Sequence, residues 1–157
     1  MRLNLGCGDD IRVGYINIDC KSLNVSGEFF RQGDMESLDW LTENDTVDEI
    51  LAIDCLEYLT NIDSVKKAIA NWFAKLKIGG KITILIPDCY VVAQSFVQGQ
   101  IDLGEFTKII LGADQEHDRR NVIIDSDTIL RILSELGLVI TTKRYEGIAM
   151  YIEVQKC

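Results

Sequence analysis

The sequence predicts a three-layer α/β fold on a mostly parallel sheet with an antiparallel final strand. Three observations carry this. Short apolar runs at 3–5, 15–18, 47–53 and 81–86 are bounded by polar or glycine-marked turns, as strands are. Between and after them, Ile62, Val65, Ile69, Trp72, Phe73 and Leu76, and later Ile129, Leu130, Ile132, Leu133 and Leu136, recur at helical spacing. The chain then closes with two strand-like segments, 139–145 and 148–154, around Glu146-Gly147, whose hairpin form makes the last strand antiparallel.

The first two strands bracket the stretch LNLGCGDDIRVGYINID, Leu3 to Asp19. Gly6 and Gly8 lack a Cβ, so the turn can adopt positive φ and bring peptide groups, with Cys7 between them, against a bound molecule. Asp19 ends the second strand, where a carboxylate can accept from the two adjacent hydroxyls of a ribose. A dinucleotide fingerprint would need a third glycine where this chain has Ile11, and its ribose-binding acid about twenty residues further on. The segment 9–14 is too short for a phosphate-binding helix, and Asp9 and Asp10 would repel a phosphate. Gly80-Lys81 is followed by Ile82, so a Walker loop is absent as well. The pattern fits a ribose-bearing ligand without phosphate, or simply a tight glycine turn. The first helix is nearly lost, which strains the rule that a parallel crossover needs about a dozen residues. The face it would cover is expected to be thin or masked by a partner subunit, which leaves room for a homo-oligomer.

The remaining elements follow in order. Residues 21–28 read as a loop, and 29–32 as a short strand leading to Gly33, Asp34 and Met35. Asp34 fits the N-cap of a short helix through Leu38 and Leu41. The buried strand 47–53 leads into Asp54-Cys55-Leu56-Glu57-Tyr58-Leu59. Thr60-Asn61-Ile62-Asp63 has the form of a capping box for a helix ending at Gly79-Gly80, and strand 81–86 is closed by Pro87-Asp88. From 89 to 121 the pattern weakens into two short helices, 90–97 and 103–111, and a segment placed to hang over the carboxyl edge of the sheet as a lid. That segment holds the only histidine, His117, a side chain suited to proton transfer near neutral pH or an ordinary surface residue. Ser126-Asp127 caps the last helix, which ends at Gly137. Thr141, Thr142, Lys143 and Arg144 make a polar edge strand.

With 157 residues, 47% of them hydrophobic, the chain reads as one domain, 1–157, able to bury a core. The first strand begins by the third residue, leaving no room for a signal peptide, and no apolar run approaches a membrane span, so a cytoplasmic location is expected. Sixteen basic against twenty-five acidic residues give a net charge of −9, which opposes nucleic-acid binding. Arg119-Arg120 reads as a solvated loop or as a clamp for a substrate anion. Cys7, Cys20, Cys55, Cys89 and Cys157 show no C-x-x-C spacing, so reduced thiols and no metal are expected, although four of them follow predicted strands along one sheet edge.

LNLGCGDDIRVGYINID and LKIGGKITILIPD resemble the motifs of S-adenosylmethionine-dependent methyltransferases of the Rossmann-like type. The closer resemblance is to a short branch in which the glycine turn runs almost directly into the second strand. Asp9 and Asp10 suit the cationic sulfonium and α-amino group of that ligand. Two departures stand out: Ile78 replaces the family's proline before the glycine pair, and Tyr58 replaces the histidine of its "Leu-Glu-His" run. The resemblance implies S-adenosylmethionine as cofactor, held by Gly6, Cys7, Gly8 and Asp19, with Asp34, followed by Met35, at the position that accepts from the adenine amino group. It implies methyl transfer to a small-molecule acceptor, an in-line displacement that depends chiefly on positioning. Asp54 and Glu57 are then candidates to orient the acceptor, with His117 as base. Tyr58 is too weak a base at neutral pH but can donate a hydrogen bond. The rival reading is a non-catalytic domain on the same fold that acts through cofactor or protein binding.

Overall fold

The computed structural model describes residues 1–22, 29–113 and 118–157. Seven strands form one sheet: β1 (Arg2–Leu5), β2 (Ile16–Asp19), β3 (Phe30–Gln32), β4 (Val47–Ile53), β5 (Leu76–Pro87), β6 (Val139–Glu146) and β7 (Ala149–Gln155), in the order β3-β2-β1-β4-β5-β7-β6. β7 alone is reversed in direction, antiparallel to β5 and β6, and the other adjacent pairs are parallel. Helix α1 (Ile62–Lys75) joins β4 to β5, while α2 (Cys89–Val97), α3 (Leu103–Leu111) and α4 (Ser126–Glu135) lie between β5 and β6. No described helix is long and apolar enough to cross a membrane.

Strand register sorts the two faces of the sheet. One row aligns Ile16, Leu3, Ile50, Ile82 and Val154, and the next aligns Ile18, Leu5, Ala52, Ile84 and Ile152. These apolar rows share the core with Val65, Ile69 and Trp72 of α1 and Ile129 and Leu133 of α4. Burying each such large side chain stabilises the fold by about 1.5–3 kcal/mol. Trp72, fully buried, donates its indole N–H to the Met35 carbonyl at 2.6 Å and so ties α1 to the segment after β3.

The opposite face is polar, its central row running Asn17, Asn4, Leu51, Thr83 and Glu153. Asn4 and Asn17 are buried and take the place of the missing first helix. Asn4 Nδ2 donates to Asn17 Oδ1 at 2.9 Å and to the Asp10 carbonyl at 2.7 Å. Asn17 Oδ1 accepts from the Arg12 amide at 2.9 Å, and its Nδ2 donates to the Arg12 and Tyr15 carbonyls. The two amides hydrogen-bond the backbone of the β1–β2 loop as a helix would bond itself. A parallel crossover can therefore close without helical turns. Beside them, Arg2 stacks on the Tyr15 ring at 4.9 Å, and the Tyr15 hydroxyl donates to Glu49 at 2.7 Å.

Several local expectations shift. Helix α1 is capped by Asn61, whose side chain accepts from the Ser64 amide, one residue beyond Thr60. It stops at Lys75, and Gly79-Gly80 lie inside β5, not at a helix end. The two glycines serve the strand instead: Gly79 takes φ +80°, and a Cβ on Gly80 would come within 3.0–3.1 Å of the carbonyl oxygens of Lys77, Asp48 and Val47, beside the register shift in β4. Asp125, not Ser126, caps α4 by accepting from the Thr128 amide. The segment from Asp34 to Leu41 forms turns, not a helix. There Asp34 Oδ1 accepts from the Glu36 amide and the Asp34 carbonyl accepts from the Trp40 indole, and helix-type backbone bonds appear only at the end, where the Leu41 and Thr42 amides donate to the Leu38 carbonyl.

Candidate functional site

Strand order reverses between β1 and β4, and open α/β sheets bind ligands at the carboxyl ends of the strands at such a point. A cavity of about 920 Å³ lies there, lined by Gly6, Cys7, Gly8, Asp19, Asp34, Met35 and Asp54 and also by Tyr58 and Asp118. All six residues expected at the cofactor, and Asp54, are thus brought together. The volume is near the upper end of ordinary ligand pockets, about 300–1,000 Å³.

The glycines have separate roles. Gly6 has φ +59°, and a Cβ there would sit 2.5 Å from Cys55 Cβ, so the end of β1 presses on the turn after β4. Gly8 has φ +46°, yet nothing lies within 4 Å of where its Cβ would be. A ligand can therefore reach its backbone. Asp19, 8% exposed, holds this loop: its Oδ2 accepts from the Gly8 amide at 2.8 Å and its Oδ1 from the Lys21 amide at 2.9 Å. Each carboxylate oxygen keeps acceptor capacity for a hydroxyl pair.

Acid dominates the wall. Asp9, Asp10, Asp19, Asp34, Glu36, Asp54 and Asp118 line it against Lys21 alone among the described cations, a field suited to a positively charged ligand. Asp54 has φ +46°, unusual for a residue with a Cβ and a form of strain that collects at functional sites. Burial raises its carboxyl above the ordinary value, and Arg120 partly offsets this. Burial also pushes the Cys7 thiol up to about 11 and the Cys55 thiol well above its usual range, so both stay protonated and pack as small apolar groups. Among the described residues no three His, Cys, Asp or Glu side chains are grouped to hold a metal.

Glu57 is placed differently from Asp54. It is 5% exposed and lines a second, smaller cleft with Pro87, Ile109, Arg120, Val122 and Ile124 instead of the main cavity. Burial pushes it up to about 7, moderated by the nearby dipole of its own amide, which falls short of hydrogen-bond geometry, and by Arg120. Arg120 Nη1 lies 3.5 Å from Glu57 Oε1, an ion-pair distance without hydrogen-bond geometry, and neither carboxylate oxygen has a hydrogen-bond partner. The Arg120 guanidinium also sits 5.7 Å from the Tyr58 ring centroid. The Tyr58 hydroxyl donates to Asp118 Oδ1 at 2.5 Å, and burial, then this bond, pushes its pKa up to about 12. That agrees with a donor and not a base. The backbone amides of Asn121 and Val122 both donate to the Glu57 carbonyl, so the chain after Asp118 is pinned to the turn after β4. His117 lies outside the described residues.

Of the doublet read as a solvated loop or an anion clamp, Arg120 has a side chain only 17% exposed that reaches inward to Glu57, an acidic partner that neither reading anticipated. The adjacent Arg119 is exposed. No feature of the doublet distinguishes the two, because the difference depends on which side of an irregular segment faces Glu57. Asp118 and the Asn4–Asn17 pair were also missed. A polar residue at an inward position of each of the first two strands was the available signal for the pair.

No protein-family model and no curated protein sequence matches the chain. Solved structures do. A SAM-dependent methyltransferase from Methanosarcina mazei superposes with a TM-score of 0.70 at 15% identity, over 99% of this chain and 91% of that one. A SAM-dependent methyltransferase from Thermotoga maritima gives 0.63 at 12% identity, over 99% and 82%. The CurJ carbon methyltransferase gives 0.65 at 16% identity, over 99% of this chain and 48% of that one. The chain therefore has the Rossmann-like fold of SAM-dependent methyltransferases.

Proposed function

We propose that this protein binds S-adenosylmethionine in the cavity at the β1–β4 switch point and transfers its methyl group to a small-molecule acceptor. The observation that carries the reading is Asp19, fixed by the Gly8 and Lys21 amides at the lip of the glycine turn with acceptor capacity left for a ribose. The open space at Gly8 and the acid-rich wall support it, the first by admitting a ligand to the backbone, the second by suiting a cation. Gly6, Cys7, Gly8 and Asp19 would hold the nucleoside and amino-acid portions, and Asp34 and Met35 line the same cavity. When bound, the cofactor supplies an electrophilic methyl on a sulfonium. The chain's part is to position an acceptor, with Asp54 facing the cavity to orient it.

Titration calorimetry tests the cofactor. Saturable heat with S-adenosylmethionine and with its demethylated product is expected, and Asp19→Ala should weaken both by about 1–3 kcal/mol through loss of a charge-assisted hydrogen bond. Heat from NADH or ATP, with none from millimolar S-adenosylmethionine, would overturn the assignment.

A further inference from the structure

The second cleft poses a question of satisfiability. Glu57 is almost wholly buried, and neither of its carboxylate oxygens accepts a hydrogen bond, although Arg120 Nη1 stands 3.5 Å away. Arg120 spends Nη1 on the Ile109 carbonyl at 2.7 Å, and its buried Nε–H has no partner either. Glu57 and Arg120, which carry these unpartnered atoms, both line one cleft of about 20 Å³, enough for a single oxygen-sized group, and apart from Cys89 the rest of its lining is apolar, with Ile86, Pro87, Ile109 and Val122 among it. Buried polar groups left this way cost about 1–3 kcal/mol each, so the arrangement is one that a ligand would complete.

The chemistry of that ligand follows from the two groups together. Glu57 needs a donor and Arg120 Nε–H needs an acceptor. An ammonium would donate but would face the guanidinium, and a carboxylate would accept but would face Glu57. A neutral hydroxyl does both through one oxygen. Ile123, 57% exposed, continues the apolar wall outward from the cleft, where a hydrocarbon body could lie.

We propose that the Glu57–Arg120 cleft is an anchor site for a neutral hydroxyl group carried on an apolar body. Tyr58 and Asp118, which line the main cavity, adjoin it through the Arg120–Tyr58 contact and the Glu57 turn. Identifying the anchored molecule with the methyl acceptor rests on the function proposed above. The binding site itself does not.

The test uses the full chain labelled with ¹⁵N and titrated at pH 8, where a carboxyl raised to about 7 is mostly ionised, with benzyl alcohol, toluene, benzylamine and benzoate. Benzyl alcohol should shift the Glu57, Asn121 and Val122 amides saturably and bind about tenfold tighter than the other three, as one charge-assisted hydrogen bond predicts. Glu57→Gln, nearly the same shape, should remove most of that preference. Equal binding of toluene would overturn the proposal, as would tighter binding of benzylamine or benzoate. So would shifts confined to other residues, or no saturable shift from any probe, as expected if the cleft admits only water. S-adenosylmethionine is titrated into the same samples. Loss of its binding with the alcohol preference intact would refute the cofactor reading alone, and the reverse would refute the anchor site alone.

Discussion

Replacing Glu57 by Gln should change how stability depends on pH more than stability itself. Burial raises the Glu57 carboxyl from 4.5 to about 7 in the folded protein. Below the ordinary value both folded and unfolded chains hold the proton, and no penalty applies. As pH rises through the window from 4.5 to 7 the unfolded chain releases its proton first, so stability falls, and above about 7 the loss is complete. The gap between the two values, at about 1.36 kcal/mol per pH unit, corresponds to about 3 kcal/mol in all. About 2 to 3 kcal/mol of it falls between pH 5 and 8. Glutamine carries no charge there, so Glu57→Gln should lack this slope, whatever constant offset its own unpartnered amide introduces. Urea denaturation of both proteins at pH 5 and pH 8 measures the difference of differences. Equal slopes would refute the picture of a carboxylate buried without adequate partners.

Gly6→Ala should cost about 2–4 kcal/mol in urea melts, because its Cβ would meet Cys55 Cβ at 2.5 Å on a backbone with φ +59°; a cost under half a kcal/mol would contradict the tight β1–β4 approach. Gly8→Ala has open space, so it should fold, with only the strain of its φ, yet lose most cofactor affinity, and calorimetry beside a melting curve separates the two effects. Asn17→Leu removes the acceptor of the Arg12 amide and the donor to two carbonyls, so residues 9–15 should exchange amide hydrogens faster and the protein should lose about 1–3 kcal/mol.

The parts of the fold that were legible in the sequence are those fixed by local periodicity. The strand rows that include Leu3, Ile50, Ile82 and Ile152, and the stripe Val65, Ile69, Trp72, announce which face is buried, because burial repeats at the period of the element itself. Element ends were less legible. Asn61 and Thr60 can both cap, as can Asp125 and Ser126, and the choice depends on where the chain enters from the preceding loop. Gly79-Gly80 has the look of a helix terminus, but the close approach of the β4 backbone decides its role, and that contact is not local. In the site, the glycine turn and Asp19 were readable because their spacing is short. Arg120 and Asp118 were not, since they meet Glu57 and Tyr58 across some sixty residues of chain.

The central claim is methyl transfer, and the most direct measurement is incubation of the protein with S-adenosylmethionine labelled in its methyl group and a fractionated metabolite extract. Label is expected in at least one small-molecule fraction, with stoichiometric demethylated cofactor, and a fall in both with Asp19→Ala at subsaturating cofactor. Cofactor binding without labelled product from any fraction would contradict that claim and leave a binding module on the methyltransferase fold.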